Sequence, residues 1–171
     1  MFSNANAFNQ DIGDWDVSNG TRFEAMFRQT TFNQDIGDWD VGNGTNFSQM
    51  FWGTQFNQDI GDWDVSNATS FSHMFLHNKV FNQDIGDWDV SNASSFSSMF
   101  EMAEAFNQDL GDWDVSKARN MEKMFNDSSF DHDIGDWDVS KVDNFGGMFA
   151  KTSFNQDISC LLYTSDAADE S

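Results

Sequence analysis

The sequence predicts an α/β solenoid of about six stacked coils, each 24 or 25 residues long, with one short parallel strand and one short helix per coil. The first reason is a repeat. The block FNQDIGDWDV begins at Phe8, Phe32, Phe56 and Phe81, and recurs as FNQDLGDWDV from Phe106 and as FDHDIGDWDV from Phe130. Self-similarity at this period is the signature of a repeat architecture. The second reason is that the spacing of apolar residues changes within each repeat, from two residues to three and four.

The predicted strand begins near Ile12. Ile12, Trp15 and Val17 follow the L-x-x-L-x-L spacing of a leucine-rich-repeat strand. Trp15 and Val17 are two residues apart and share one face, so Asp16 between them points outward. We therefore expect a buried tryptophan column, and only exposure of these rings would favour a sugar-binding platform. The column consists of Trp15, Trp39, Trp63, Trp88, Trp113 and Trp137.

The predicted helix follows the strand. Phe23, Met26 and Phe27 have the i, i+3, i+4 spacing of one buried helical stripe. In every repeat but one, the residue two positions before the stripe is suited to capping the helix: Thr21, Thr45, Thr69, Ser94 and Asp143. Thr21 and Glu24 could form a capping box. A helix of about two turns is marginal alone, so stacking must stabilise it. Extra residues in the longer repeats lie between the Met-Phe pair and the next Phe, which predicts a loop there. That next Phe is expected to form an aromatic spine.

The composition limits the function. There are 19 Phe and 7 Trp, too many aromatic residues for a disordered acidic tail. With 29 acidic and 8 basic residues the net charge is -21, which argues against nucleic acid and anionic membranes as partners. The sequence contains no run of about 18 apolar residues, so no segment of it is expected to enter a membrane.

The repeat has a family resemblance. The block FNQDIGDWDVSNATSFSHMF, from Phe56 to Phe75, resembles the repeat of BspA-like leucine-rich-repeat bacterial surface proteins. The resemblance covers residues 1–159. It implies a solenoid, a secreted or cell-surface location, and adhesion to an extracellular protein or glycan, and it brings no catalytic residues. One departure is that Gly or Ala commonly occupies the usual asparagine position. We expect a different run to replace that ladder: Asn9, Asn33, Asn57, Asn82 and Asn107.

Both ends bear on the domain organisation. Met1 and Phe2 occupy the place that Met26 and Phe27 hold in the next repeat, so residues 1–159 are expected to be a fragment of a longer array. Residues 160–171 begin with CLLYTSDAADE, which resembles translated sequencing adapter and predicts a non-native tail. Cys160 then says nothing about the redox compartment.

The charge is concentrated on one part of the repeat. The FNQDIGDWDV-type blocks, together with Asp157, contain 20 of the 29 acidic residues and no basic residue. Stacking should align them into outward-facing columns. The candidate site residues are Asp11, Asp14, Asp16, Asp35, Asp38, Asp40, Asp59, Asp62, Asp64, Asp84, Asp87, Asp89, Asp109, Asp112, Asp114, Asp133, Asp136 and Asp138.

Three interpretations of these columns are open. They could form a solvated face that keeps the protein soluble. They could bridge Ca²⁺ between coils through carboxylate and backbone oxygens, which are the ligands that Ca²⁺ prefers. They could also form a docking surface for a basic partner or a mineral.

The remaining candidates are weaker. His73 and His77 are four residues apart in the predicted helix, but no third metal ligand repeats nearby, and an exposed polar face explains them better. Trp52 has no equivalent in the other repeats and is expected to be a half-exposed contact residue. Aspartate pairs recur in every coil, unlike a unique catalytic site. We therefore predict a non-enzymatic extracellular binding region, with a passive stalk or a calcium-stabilised array as alternatives.

Overall fold

The computed structural model describes residues 1–159, in which each repeat forms one coil beside the next. Single-residue parallel bridges connect equivalent positions of successive repeats: Arg22 to Asn46, Asn46 to Ser70, Ser70 to Ser95, Ser95 to Asn120, and Asn120 to Asn144. Backbone and side-chain hydrogen bonds over 21 to 28 residues follow the same order. The repeats are therefore stacked in register.

The predicted α/β solenoid, with a strand and a helix in every coil, is wrong. Residues 1–158 contain no helical residue, and their only strand-like residues are the isolated bridge positions. Ser159 is the single helical residue of the described part. The coils consist of turns connected by short extended segments, so neither a sheet nor a layer of helices forms within residues 1–159.

The segment predicted as a helix is a pair of consecutive turns. The N–H groups of Met26 and Thr30 donate to the carbonyl oxygens of Phe23 and Phe27, at 3.1 and 3.2 Å. The third residue of each turn has a positive φ, 52° at Ala25 and 54° at Gln29, as in a type II turn. Two four-residue turns in succession bury positions i, i+3, i+4 and i+7. This is also the helical pattern, so the spacing could not distinguish them.

The alternate N–H groups of these turns stabilise the stack. Four of them, on Phe23, Ala25, Phe27 and Gln29, donate to carbonyl oxygens of the next repeat, on Asn46, Ser48, Met50 and Trp52, at 2.7 to 3.1 Å. An α-helix would use these donors within itself. The predicted capping role of threonine is also wrong in the next two repeats, because the Thr45 and Thr69 hydroxyls donate to carbonyl oxygens of the preceding coil.

The predicted strand is interrupted by a turn. The N–H group of Trp15 donates to the carbonyl oxygen of Ile12 at 3.1 Å, closing a turn at Gly13 and Asp14. No backbone hydrogen bond joins this segment to the neighbouring coil within residues 1–159. The connection comes from a side chain, because the Trp39 indole N–H donates to the carbonyl oxygen of Ile12 at 3.1 Å.

The core is a set of aromatic columns. Five tryptophans of the column are each 3% exposed, which confirms that they face inward: Trp39, Trp63, Trp88, Trp113 and Trp137. Trp15 in the first coil is 43% exposed. Phe27 and Phe32 stack within a coil at 3.9 Å between ring centroids, and Phe32 stacks on Phe56 of the next coil at 6.1 Å. The predicted aromatic spine is therefore confirmed. Such pairs contribute about 0.5–1.5 kcal/mol each beyond burial.

The predicted asparagine ladder is also confirmed. The Asn9 side-chain oxygen accepts from the Asn33 N–H at 2.9 Å, and the same bond recurs through Asn57, Asn82 and Asn107. Asp131 takes the asparagine position in the sixth repeat and accepts from the Asn155 N–H at 3.1 Å.

Two expectations concern the chain as a whole. The predicted non-native tail, residues 160–171 with Cys160, lies outside the described residues. Among residues 1–159, no helix is long and apolar enough to cross a membrane.

Candidate functional site

We define the acidic face as the eighteen aspartates at three positions of the six repeats. All of them are exposed, so the predicted outward orientation of Asp16 and its equivalents is confirmed. They lie on turns. The sequence had predicted that they would lie on the open face of a parallel sheet, and that prediction is wrong. Each coil therefore contributes three outward carboxylates from one short loop.

The first and third aspartates of each coil stabilise turns. The Asp59 carboxylate accepts from the Gly61 N–H at 2.9 Å, and the Asp64 carboxylate accepts from the Ser66 N–H at 3.0 Å. The same pair of bonds occurs in all six repeats. A short side chain that accepts from the backbone two residues later is the usual reason for aspartate in a turn. These two positions therefore have a structural role.

Hydrogen bonds lower the pKa of several of these carboxyls. The pKa of Asp64 falls because the Ser66 hydroxyl and N–H donate to it, and Asp16 and Asp138 behave in the same way. At Asp114 the bonds from Ser116 lower the pKa most, and the charge of the neighbouring Asp138 raises it least. Hydrogen bonding thus outweighs repulsion between adjacent coils at that position, and the carboxylate stays ionised.

The middle aspartate of each coil is different. We call Asp14, Asp38, Asp62, Asp87, Asp112 and Asp136 the middle-aspartate column. Within residues 1–159 these side chains form no hydrogen bond or ion pair with the protein, and all six are exposed. Their carboxylates are free for an external partner.

Shallow cavities separate the acidic turns of neighbouring coils. One of about 200 Å³ is lined by Asp109, Gly111, Asp112, Asp133, Gly135 and Asp136, and another of about 190 Å³ by Asp59, Gly61, Asp62, Asp84 and Asp87. Among residues 1–159, however, no three His, Cys, Asp or Glu side chains are grouped closely enough to ligate one metal ion. Calcium binding at the acidic face therefore stays a prediction.

A second surface lies elsewhere on each coil. We define the turn face as residues 24–29, 48–53, 72–77, 97–102, 122–127 and 146–151. Here the Arg28 guanidinium lies 4.0 Å from the Trp52 ring centroid, and the His73 ring stacks on Trp52 at 6.2 Å. Trp52 is half-buried, as predicted, and it lies between Arg28 of the preceding coil and His73 of the following coil.

The two histidines of the turn face do not form a helical pair. His73 and His77 both have positive φ, 60° and 57°, because each is the third residue of a turn. Burial lowers the pKa of His73, and the nearby Glu101 and Glu122 oppose this. The stack of Arg28, Trp52 and His73 was missed from the sequence. Its signal was the 24-residue separation of Arg28 and Trp52, which gives them equivalent positions in adjacent coils.

The two surfaces differ in how much the repeats vary. The turn-face position of Arg28 carries Trp52, Leu76, Glu101, Asn126 and Ala150 in the following repeats, whereas the middle-aspartate column is aspartate in all six. Exposed positions without a packing role are expected to tolerate change. The middle-aspartate column stays constant although its side chains make no intramolecular bond within residues 1–159.

Comparison with known proteins gives one match. A family model described as "Mycoplasma protein of unknown function, DUF285" matches residues 1–79 and residues 52–129. No curated protein matches the chain, and no solved structure matches it. The two matched segments together cover most of the repeat region, and the chain therefore belongs to the DUF285 family.

Proposed function

We propose that this chain is a non-enzymatic binding and adhesion region of an extracellular or cell-surface protein, and that its acidic face contacts the ligand. The observation that carries the proposal is the middle-aspartate column, which is exposed, free of intramolecular bonds and constant through six repeats. The resemblance to BspA-like surface repeats supports the location and the adhesive role.

The chemistry of the face favours a protein ligand with a basic surface. A column of carboxylates at regular spacing pairs with lysine and arginine side chains, and a net charge of -21 accelerates encounter with a positively charged partner. Free carboxylates need no rearrangement of the coil before they bind. A ligand of this kind should bind less tightly as the salt concentration rises, because salt screens exposed charges.

The test compares two variants that each lose six charges. One replaces the middle-aspartate column with asparagine: Asp14, Asp38, Asp62, Asp87, Asp112 and Asp136. The matched control neutralises the six acidic residues of the described part that lie outside the acidic blocks: Glu24, Glu101, Glu104, Glu122, Asp127 and Asp143. Both are screened against arrays of extracellular proteins and glycans. Binding should be lost in the first variant alone, and equal binding by both would remove the acidic face from the mechanism.

Calcium stabilisation is a second candidate, favoured by the cavities between successive acidic turns. Ca²⁺ there would raise the melting temperature, and a chelator would reverse the rise. The measurement is a melting curve with CaCl₂ or with chelator at constant ionic strength. Superimposable curves would end this interpretation, and the absence of any saturable ligand would favour a passive stalk.

A further inference from the structure

Every repeat is held only by its immediate neighbours. Within residues 1–159 the longest sequence separation of any side-chain hydrogen bond is 28 residues, and the parallel bridges connect adjacent repeats only. The single cysteine of the sequence is Cys160, so no disulfide can join two repeats of residues 1–159. The interfaces between coils therefore resist tension applied to the chain ends in series, with no link that bypasses any of them within residues 1–159.

The interfaces are also chemically alike. Each interior one repeats the indole N–H bond, from Trp63 to Ile36, from Trp88 to Ile60 and from Trp113 to Ile85, at 3.0 to 3.1 Å. Stacked phenylalanine rings and a single-residue bridge accompany each of these bonds. When stability is a sum of nearest-neighbour interfaces, units can detach individually.

We propose that the stack is a stepwise-extending tether, in which tension along the stack detaches one coil at a time. A detached coil of 24 residues, at about 3.3–3.6 Å per residue when extended, spans about 80 Å. In the stack the same coil occupies about 4.8 Å, the spacing of hydrogen-bonded neighbouring chains. Each detachment therefore lengthens the chain by nearly 80 Å, and the remaining end coil offers a template for the released one to rebind. This behaviour is independent of the ligand of the acidic face.

The experiment stretches the full chain, with Cys160→Ser, between handles at its two termini. We expect a series of extension steps, each about 80 Å long, that reverse when the force is lowered. Release of the whole repeat region in one event, several hundred ångströms long, would overturn the proposal. Gly61→Ala, which disturbs one interface, should lower the force of one step without changing its length.

An engineered disulfide between two adjacent coils tests whether each extension step corresponds to one coil. Ser70 and Ser95 are bridge partners in adjacent repeats, and the spacing of about 4.8 Å between such neighbours suits a disulfide. In the Ser70→Cys, Ser95→Cys variant, oxidation should remove one step of about 80 Å and leave the others unchanged, and reduction should restore it. An unchanged number of steps, each of them shorter, would show that the steps are not single coils.

Discussion

At the scale of the residue, the repeat glycine decides how closely two coils approach. A Cβ added at Gly61 would lie 2.9 Å from the carbonyl oxygen of Asp84 in the next coil, and Gly37 and Gly86 show the same distance to their neighbours. Real Cβ atoms do not approach backbone oxygen so closely. Glycine is therefore required at this position by packing between coils.

Replacing this glycine should destabilise the protein. Gly61→Ala forces two backbones apart and is expected to lower the free energy of unfolding by about 1–3 kcal/mol, measured by urea denaturation. The control is Gly42→Ser, because other repeats carry serine there and a new Cβ would meet only side-chain carboxylates, of Asp64 at 3.2 Å and of Asp40 at 3.4 Å. That control should change the free energy by less than about 0.5 kcal/mol. Equal effects of the two substitutions would contradict the packing role.

The turn-capping aspartates make stability depend on pH. Hydrogen bonds lower the pKa of Asp16, Asp64 and Asp138 in the folded state, so their contribution is complete above the unfolded pKa, near 4. It is lost as the pH falls through the folded values. We therefore expect stability to fall as the pH drops below about 4, with unfolding followed by tryptophan fluorescence. Stability that increases continuously over this range would show that repulsion outweighs the caps.

At the scale of the element, the turn face replaces the predicted helix because its backbone N–H groups have two kinds of acceptor, within the turn and in the next coil. In the first segment of the turn face, the N–H groups of Met26 and Arg28 close turns. Those of Ala25, Phe27 and Gln29 donate to the next coil. The price is a left-handed backbone at residues such as Ser98, with φ of 53°. Gly147 holds the position equivalent to Ser98 without this strain, with φ of 68°, and Gly53 holds the third position of the second turn, with φ of 67°.

Two adjacent serines distinguish the turn from a helix. Ser98→Gly relieves the left-handed strain and should raise the free energy of unfolding by about 0.5–1 kcal/mol. Ser97→Gly, at a residue without positive φ, should lower it by about 0.5–1 kcal/mol. In a helix both substitutions would be destabilising. The measurement is urea denaturation of the two variants. A loss of stability in both would contradict the turn and favour a helix in this segment.

At the scale of the whole molecule, six coils place like charges in columns. Carboxylates separated by about 4–5 Å repel by about 1 kcal/mol in water, and salt screens them. The aromatic columns and inter-coil hydrogen bonds must outweigh this repulsion. The middle-aspartate column contributes repulsion without a compensating hydrogen bond, so it should be the part of the acidic face that costs most stability.

Neutralising two members of the middle-aspartate column should therefore stabilise the protein. In Asp62→Asn, Asp87→Asn the melting temperature should exceed that of the unchanged chain at about 0.01 M NaCl, and the difference should shrink at about 0.5 M. The control, Asp59→Asn, Asp84→Asn, alters two turn-capping carboxylates and removes the same charge. A smaller gain in the control is expected, and an equal gain would mean that only net charge matters.

The sequence by itself determined the repeat, its register and the direction of its side chains. Identical blocks at 24- and 25-residue intervals stack Trp39 under Trp63, Phe32 under Phe56 and Asn33 under Asn57, because like positions of adjacent coils must meet. The alternation of Trp15, Asp16 and Val17 placed the carboxylates outside. These features follow from burial alone, and the pattern of apolar residues in the sequence shows directly which positions are buried.

Only the tertiary structure decided the backbone conformation within each coil. The spacing of Phe23, Met26 and Phe27 fits both a helix and two consecutive turns, and the choice depends on where the N–H groups find acceptors. Those acceptors belong to the next coil, about 24 residues away in sequence. The tertiary structure also decided which aspartates of the acidic face cap turns and which stay free for a partner. In the sequence, a repeated aspartate looks the same in both roles.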